Sequence, residues 1–320
     1  MKRLGFCGFC ITTMLISAIP GITQDIRMHY TGDAVNVDYS MKDGMLNGNY
    51  IAYYKNGKKK AKGEFRNNNR VGKWYVYDTS GELKIERNYR NNLDYTLVLA
   101  DRTEKHLTPI LDLPERDTNG CYKWYYLSKE AVIWKKRTYM FLANKNNPIL
   151  SENNRLFNRL YSEGLKHNVQ VFKYIKNSDT SFAQSIDTKL IDTSSFHVIG
   201  YLIKADWFED TTHLEMDCRV LGICPMVIKK SQSLDTTGLF WMYYPQVRKY
   251  LANEKLKKTE NFPDVQNMDD IFFWRYYNAI ICNESSSLEP AVVPVKNSWG
   301  VIMEIIDKEH DCWTGNINLH

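Results

Sequence analysis

Apolar and polar residues alternate more regularly between residues 196 and 244 than anywhere else in the chain. Apolar side chains occupy alternate positions from Ile199 to Trp207 and most alternate positions from Leu214 to Ile228, with the polar run 209–213 between them. Because successive side chains of a β-strand point to opposite faces, this spacing predicts two long antiparallel strands joined by a turn. The apolar run 239–244 predicts a third strand in the same sheet.

A repeat of 24 positions runs through residues 44–89. It consists of glycine and aromatic residues: Gly48, Tyr50, Tyr53, Gly57 and Phe65 recur as Gly72, Trp74, Tyr77, Gly81 and Tyr89. Each unit predicts a β-hairpin in which glycine supplies the turn and the aromatic rings pack between neighbouring units. Residues 30–43 are compatible with a degenerate third unit of this repeat.

These units resemble the MORN-like repeat of the YwqK-type family of bacterial proteins, which implies an interaction or scaffold module. We therefore interpret the repeat aromatics as structural or partner-contact residues. They are Tyr50, Tyr53, Phe65, Trp74, Tyr77 and Tyr89. The lysines at positions 58–60 and 62 are expected to form a solvated edge, with a surface for an acidic partner as the alternative.

Helical spacing is found in the middle of the chain. Ser128 is a suitable cap for a helix that runs through Trp134 to Tyr139, although residues 138–142 are also compatible with an extended segment. Ser151 is expected to cap a second helix, in which Leu156 and Leu160 keep helical spacing.

Three further helices are predicted towards the carboxy terminus. Pro245 suits the first turn of one of them, and Asp269 or Asp270 suits the cap of the next. Asn297 or Ser298 is expected to cap a terminal helix with one apolar face. That face contains Val301, Ile302, Ile305 and Ile306 and is followed by Glu309.

The amino terminus has the order of features of a secretory signal peptide. Two basic residues precede the apolar run Leu4–Ile19, which is followed by small residues and Gln24. A membrane anchor needs roughly 20 uninterrupted apolar residues, more than this run provides, so we expect cleavage near Gln24. Cys7 and Cys10 lie too early in the run for lipoprotein cleavage, and a soluble exported protein is therefore predicted.

Five cysteines follow the predicted cleavage point: Cys121, Cys218, Cys224, Cys282 and Cys312. An odd number in an oxidising compartment leaves at least one thiol free or bonded to another chain. Cys218 and Cys224 lie on one predicted strand, roughly 20 Å apart, so they cannot bond each other. Burial as small apolar residues is the expected role of these cysteines.

The sequence contains no motif for phosphate or dinucleotide binding and no Gly-x-Ser-x-Gly nucleophile turn. Its formal net charge of +5 is too small to indicate a nucleic-acid partner. The densest polar cluster, Glu309–Cys312, has zinc-ligand residue types, but adjacent helical residues point about 100° apart and cannot all face one ion. We therefore expect no catalytic, cofactor-binding or metal-binding residues.

One basic and aromatic group is a candidate docking patch for a protein partner, with a solvated face as the alternative. Its members are Trp134, Lys135, Lys136, Arg137 and Tyr139.

Five motifs occur in a fixed order between residues 120 and 316. They are Val132–Tyr139, Trp207-Phe208, Arg219–Pro225, Leu239–Pro245 and Glu309–Trp313. Together they resemble the GldN/PorN family of the type IX secretion system and of gliding motility in Bacteroidetes-type bacteria. The resemblance implies an oligomeric periplasmic protein that assembles with a GldK/PorK-type lipoprotein into a ring beneath the outer membrane, which it reaches through partners only.

Two features depart from the family pattern. Typical members lack the repeat module, and the serine-rich segment Ser285–Pro290 stands where the family continues differently. The alternative function is therefore an exported MORN-repeat binding module, a paralogue that no longer belongs to the secretion machine.

The predicted fold class is α+β. A small all-β hairpin-repeat module precedes an antiparallel-sheet-centred domain with flanking helices. The predicted divisions are a signal peptide at 1–24, an amino-terminal segment at 25–43, repeats at 44–90, a linker at 91–119 and a GldN-like domain at 120–316.

Overall fold

The chain is described by a computed structural model. It describes residues 23–43, 45–90, 95–99, 114–176, 182–187, 191, 195–210, 215–229, 236–257, 265–285, 293–294 and 298–314. The predicted signal peptide lies almost entirely outside these residues. The α+β fold class is confirmed, with one antiparallel sheet in each half of the chain.

The first sheet is a seven-stranded meander in which each strand pairs with the next along the chain. Its strands are β1 (Thr23–His29), β2 (Val35–Lys42), β3 (Met45–Tyr53), β4 (Lys59–Arg66), β5 (Asn69–Tyr77), β6 (Leu83–Tyr89) and β7 (Tyr95–Leu99). We call this the repeat sheet. It is wider than the predicted repeat module, because β1 and β2 add to one side and β7 forms within the segment predicted to be a linker.

Three turns of the repeat sheet follow the 24-residue period. The amides of Tyr30, Tyr54 and Asp78 each donate to the carbonyl four residues later, at 2.9, 2.8 and 2.9 Å. The glycines that recur in these turns adopt left-handed backbone conformations, with φ of +81° at Gly57 and +88° at Gly81. Glycine meets this requirement without steric cost, so the period seen in the sequence is a period of turns.

Tyrosine hydroxyls connect successive repeats. The Tyr30 hydroxyl donates to the Tyr53 carbonyl at 2.6 Å, and the Tyr54 hydroxyl donates to the Tyr77 carbonyl at 2.7 Å. Because the same bond recurs one repeat later, the hairpin that begins at Tyr30 is structurally a unit of the array.

The second sheet has nine strands and a long central hairpin. Its strands are β8 (Val132–Ala143), β9 (Val171–Lys173), β10 (Ser185–Ile186), β11 (Phe196–Asp210), β12 (Glu215–Lys229), β13 (Thr236–Gly238), β14 (Phe240–Tyr243), β15 (Ile280–Ser285) and β16 (Val293–Pro294). The spatial order is β10-β9-β14-β12-β11-β8-β15-β16, and β13 pairs with β12. The predicted hairpin is confirmed as β11 and β12, and the predicted third strand is β14.

Five α-helices accompany this sheet among the described residues. They are α1 (Pro148–Ser151), α2 (Arg155–Lys166), α3 (Tyr244–Ala252), α4 (Met268–Phe273) and α5 (Ser298–Thr314), with 3-10 turns at Lys129–Ala131, Asn144–Asn146 and Glu152–Asn154. Buried residues of α2, α3, α4 and α5 share one core with one face of the sheet. No helix in the described ranges is both long and apolar enough to cross a membrane.

The helix predicted from Ser128 to Tyr139 is wrong. Ser128 caps only the 3-10 turn Lys129–Ala131, and the chain then enters strand β8 between β11 and β15. This segment lacks a clear alternation of apolar and polar residues, because two of its charged residues are partly buried in ion pairs. These pairs are Lys136 with Glu284 and Arg137 with Asp206.

At two helices the observed N-cap lies a few residues from the predicted one. Ser151 ends α1 instead of capping α2, which begins after Asn154. At α4 the cap is Asn267, and Asp270 completes a capping box by accepting from the Asn267 amide at 3.1 Å. Asp270 thus acts inside the first turn, where a carboxylate also favours the helix dipole.

Helix α5 lies between the two sheets. Val301 and Ile305 belong to the core of the second sheet, whereas Met303 and Ile306 belong to the core of the repeat sheet. The helix therefore has two buried faces where the sequence predicted one. A helix that is apolar on both sides is one that is covered on both sides.

Candidate functional site

The residues with the most unusual environments lie where α5 meets the repeat sheet, a region we call the seam. Lys60 on β4 is only 4% exposed. Its ammonium lies 2.6 Å from the Asp307 carboxylate and 2.7 Å from that of Asp311, both on α5. Burial opposes the charge of Lys60, but attraction to the two carboxylates outweighs it and the pKa of Lys60 is raised.

A second ion pair crosses the seam between Arg70 on β5 and Glu309 on α5. The Arg70 guanidinium also lies 5.2 Å from the ring centroid of Trp74 and 5.7 Å from that of Phe65. Such cation–π contacts strengthen when water is excluded. Arg70 is therefore held by both the helix and the aromatic core of its own sheet.

His310 on α5 is fully buried against the repeat aromatics. Its ring centroid lies 6.0 Å from those of both Tyr50 and Trp74. Burial first, and then the nearby cations Arg70, Lys60 and Arg87, hold the pKa of His310 well below its usual range. The imidazole is neutral at physiological pH and acts as an aromatic core residue.

The cluster Glu309–Cys312 thus sends four side chains to different surroundings. Glu309 meets Arg70, Asp311 meets Lys60, and His310 enters the aromatic core. Cys312 is buried, and burial, followed by the charge of Glu209, raises the pKa of its thiol. Within the described ranges, no three His, Cys, Asp or Glu residues are grouped closely enough to hold a metal ion.

The apolar part of the seam supplements these charges. Ile306 and Met303 are 7% and 6% exposed and pack on the buried face of the repeat sheet. Trp299 lies 6.4 Å from Tyr39, measured between ring centroids. Burying one such aliphatic side chain contributes roughly 1.5–3 kcal/mol to the free energy of unfolding. The apolar residues of the seam therefore stabilise the contact between the two cores.

Four of the six predicted repeat aromatics lie in the core of the repeat sheet. Tyr50, Phe65, Trp74 and Tyr89 are each at most 4% exposed, and the Phe65 and Trp74 rings meet edge to face at 5.0 Å. Their partner is α5 of the same chain. Tyr53 and Tyr77 are half-buried, and their carbonyls accept the hydroxyl bonds between repeats.

The five residues of the candidate docking patch lie on strand β8, which directs them to different surroundings. Lys135 is exposed, whereas Lys136 forms ion pairs with Glu284 and with Glu304 of α5. The remaining three are bound within the fold: Arg137 donates to Asp206 at 2.6 Å, Tyr139 is buried, and Trp134 packs against the main core. A strand points neighbours to opposite faces, so the group does not form one surface.

Lys60 is the residue of the seam whose position the sequence predicted wrongly. The lysine run around it was predicted to be solvated, and Lys58 and Lys59 are indeed exposed. Lys60 is buried, while Lys62 lies over the Tyr75 ring at 4.5 Å. The sequence does not show which lysine of this run faces inward, because the carboxylates that pair with Lys60 come from α5, which is distant in the sequence.

A second buried polar network fixes the segment that enters the second half of the chain. Arg248 on α3 donates to Asp269 at 2.9 Å and to the Tyr122 carbonyl at 2.7 Å. Arg116 forms a bidentate pair with Asp270 at 2.8 and 2.9 Å. Burial raises the pKa of Asp269 although Arg248 opposes the shift. These pairs attach residues 114–125 to α3 and α4.

The five cysteines after the predicted cleavage point are free thiols. Burial is the largest cause of a raised pKa at each of them, with Cys121 and Cys218 both reaching about 12. A buried thiol with a raised pKa is a poor nucleophile and metal ligand. Four of the five are buried, in agreement with their predicted role as small buried residues, and Cys282 is half-buried.

The fold and the seam define an α+β protein in which helix α5 joins two antiparallel sheets through packed aromatic rings and ion pairs. Residues 127–314 match the family described as Gliding motility associated protein GldN. The chain therefore belongs to the GldN family, whose members are gliding-motility and type IX secretion components. No curated protein matches the chain.

Proposed function

We propose that this chain is a periplasmic structural component of the type IX secretion and gliding machinery and catalyses no reaction. In this proposal it assembles with a GldK/PorK-type lipoprotein into a ring beneath the outer membrane. Family membership supports the link to the machinery. One structural observation limits which surfaces can serve assembly: the helix that ends the family segment is buried on both sides, by the second sheet and by the repeat sheet.

That burial determines which surfaces remain for partners. The Glu309–Trp313 motif lies on α5, where four of its side chains are engaged by this chain's own strands or core. Partners must therefore bind elsewhere. The repeat sheet has an outer face with the exposed ion pairs Arg27–Asp38 and Lys73–Glu86.

Edge strand β1 is the surface that best suits assembly. It pairs with β2 on one side, and it is the first strand in the sheet order. Residues of β1 alternate between exposed and half-buried. A strand at an edge offers backbone donors and acceptors to a strand of another protein, so β1 is a template for sheet extension between subunits or towards a lipoprotein.

The resemblance of the hairpin array to MORN-like repeats belongs to this proposal as well. Its recurring turns and tyrosine bonds support a repeat module that presents one face outward. The array lies outside residues 127–314, the segment that matches the family. This position favours the second candidate function, an exported repeat module that binds a partner apart from the secretion machine.

Site-specific photo-crosslinking tests the assembly role. A photoreactive amino acid at exposed Asp25 on β1 is expected to crosslink to the lipoprotein or to a second copy in detergent-solubilised membranes. The same amino acid at exposed Glu82, in a repeat turn, is the matched control. Recovery of the chain as a small species alone, with no crosslink at Asp25, would instead support the free binding module.

A deletion strain tests the link to the machinery independently. Loss of protein secretion and of surface motility is expected, with rescue by the unaltered gene. Mass spectrometry of the mature chain tests export, and a first residue near Gln24 is the expected result. An uncleaved amino terminus on a cytosolic chain would contradict the periplasmic location.

A further inference from the structure

Three turns of the repeat sheet lie side by side, and the two contacts between them are filled differently. We call residues 30–34 the first turn, residues 54–58 the second and residues 78–82 the third. The tyrosine bonds that connect successive repeats are 2.6 and 2.7 Å long, so the two contacts share one geometry. Each residue of the contact between the first two turns therefore has an equivalent 24 positions later.

A lysine side chain fills the contact between the second and third turns. The Lys58 ammonium donates to the Ser80 carbonyl, and the Asn56 side-chain amide donates to the Thr79 carbonyl at 2.9 Å. The lysine stem crosses Gly81, since the Lys58 Cδ lies 3.3 Å from the position that a Cβ would take there. Two side chains of the second turn thus satisfy two carbonyls of the third.

The contact between the first and second turns lacks both of these donors. The residues equivalent to Asn56 and Lys58 are Gly32 and Ala34, and neither has a side chain that can donate a hydrogen bond. Gly57 is the glycine that an equivalent stem would cross. Apart from its chain neighbours, no described atom lies within 4 Å of a Cβ placed at Gly57. An open groove therefore remains where the next repeat holds a lysine.

The acceptors of this groove are main-chain carbonyls. Lys55 and Asn56 line the groove together with Ala34, and they are the equivalents of Thr79 and Ser80. Their carbonyls hold the positions to which side chains donate in the next contact. Main-chain carbonyls require hydrogen-bond partners, so a ligand with several N–H groups suits this pair.

The charged residues of the lining largely compensate each other. Asp38 lines the groove, whereas its equivalent in the next contact is Lys62. Arg27 also lines it and donates to both carboxylate oxygens of Asp38, at 2.7 and 2.9 Å. The third charge is Lys55, whose ammonium lies 5.8 Å from the ring centroid of Tyr30. Lys55 is therefore the residue of the lining that opposes a bound cation.

We propose that this groove binds a lysine side chain of a partner protein. The stem of that lysine crosses Gly57, and its ammonium donates to the carbonyls of Lys55 and Asn56, which its three N–H groups allow. The occupant is a lysine because Lys58 of this chain fills the equivalent contact. The inference goes beyond the assembly role and does not depend on it.

The groove fixes where a partner binds more than how tightly it binds. A polar contact at an exposed site contributes little free energy by itself, so the rest of the partner surface supplies most of the affinity. A single lysine is accordingly expected to bind weakly but at a defined place.

Two capped amino acids are suitable probes: Nα-acetyl-lysine methylamide and Nα-acetyl-norleucine methylamide. They share a four-carbon stem, and only the lysine probe carries an ammonium. Amide chemical shifts from NMR of the full mature chain at low salt give the dissociation constant and the place of binding. The unaltered protein is expected to bind the lysine probe about threefold more tightly, with shifts at residues 34–38 and 54–57.

Two variants exchange the properties of the two contacts. Ala34→Lys places a lysine at the position equivalent to Lys58, so it is expected to fill the groove and to abolish the preference for the lysine probe. Lys58→Ala empties the next contact and is expected to add a second set of shifts at residues 77–81. Lys59→Ala removes an exposed neighbouring lysine and is expected to change neither result.

A fourth variant tests the role of charge in the groove. Lys55→Thr copies Thr79, removes the opposing cation and is expected to strengthen binding of the lysine probe about twofold. Binding of the norleucine probe is expected to stay the same, because it carries no charge.

Three results would overturn the proposal. The unaltered protein binds both probes equally, or Ala34→Lys keeps the preference for lysine, or Lys58→Ala shows no second set of shifts. Lys58 is exposed, so Lys58→Ala remains decisive if Ala34→Lys does not fold.

Discussion

Lys60 on β4 places its ammonium 2.6 Å from the carboxylate of Asp307 on α5, although 247 positions separate the two residues in the sequence. Strand β4 of the repeat sheet and helix α5 therefore meet at an ion pair in which the lysine is buried and the aspartate is partly exposed. A lysine that is 4% exposed is stable only if carboxylates accompany it, so β4 and α5 each require the other.

Removing the charge of Lys60 is expected to weaken the seam. Lys60→Met leaves Asp307 and Asp311 without their cation, but both carboxylates are partly exposed, which reduces the cost to roughly 2 kcal/mol. The free energy of unfolding from urea titration, followed by tryptophan fluorescence, measures this loss. Lys73→Met breaks the pair with Glu86 on the outer face and is the matched control, expected to cost below about 0.5 kcal/mol.

The stability of the protein is expected to fall between pH 7.5 and 5.5 because of His310. The pKa of His310 is depressed in the folded state. Below the unfolded-state pKa of about 6.5, the unfolded chain therefore binds a proton at His310 and the folded chain does not. This contribution is present above pH ~6.5 and is lost as pH falls, by about 1.4 kcal/mol over this interval.

The comparison of two histidine variants isolates that contribution. His310→Gln cannot titrate and is expected to lose about 1.4 kcal/mol less than the unaltered protein over the same interval. His197→Gln replaces an exposed histidine of β11 and is the matched control for the substitution itself. Equal pH slopes for the unaltered protein and His310→Gln would refute a buried neutral imidazole.

Gly63 is expected to tolerate no side chain. A Cβ at this position would overlap the indole ring of Trp74, which is 1% exposed and unable to move away. Gly63→Ala should therefore destabilise the repeat sheet by about 1–3 kcal/mol, the range for overpacked cores. Thermal unfolding checks this, and the adjacent exposed Glu64→Ala is expected to change the melting temperature little.

The tyrosine bonds between repeats are expected to have equal energies. Tyr30→Phe and Tyr54→Phe each remove one hydroxyl that donates to a carbonyl one repeat later, at about 1 kcal/mol per bond. The double variant should show the sum, since separate sites are usually additive. Urea titration measures all three, with Tyr126→Phe, at an 87% exposed position, as control. A near-zero effect for Tyr30→Phe alone would mean that the first hairpin is not an equivalent repeat.

Much of the local structure follows from spacing in the sequence. The period of two at residues 196–228 specifies β11 and β12, since one face of each must be buried. The 24-residue recurrence of glycine specifies the repeat turns, because left-handed backbone favours glycine. Helical spacing at Leu156 and Leu160, and Pro245 in a first turn, likewise predicted α2 and α3.

Strand β8 shows where local patterns fail. Trp134, Lys136 and Thr138 lie on the face that meets the main core, yet only tertiary contacts make Lys136 compatible with that position, through Glu284 and Glu304. Sequence spacing treats a lysine as solvated. It cannot identify the two acids that allow Lys136 to be partly buried.

The sequence by itself determined the turns, the long hairpin, most helices and membership of a recognisable family segment. The tertiary structure alone decided that Lys60 is buried, that His310 is neutral, and that α5 has two covered faces. The physical reason is distance along the chain. Turn and strand preferences act between near neighbours, whereas the burial of a charge depends on a partner that can stand more than two hundred residues away.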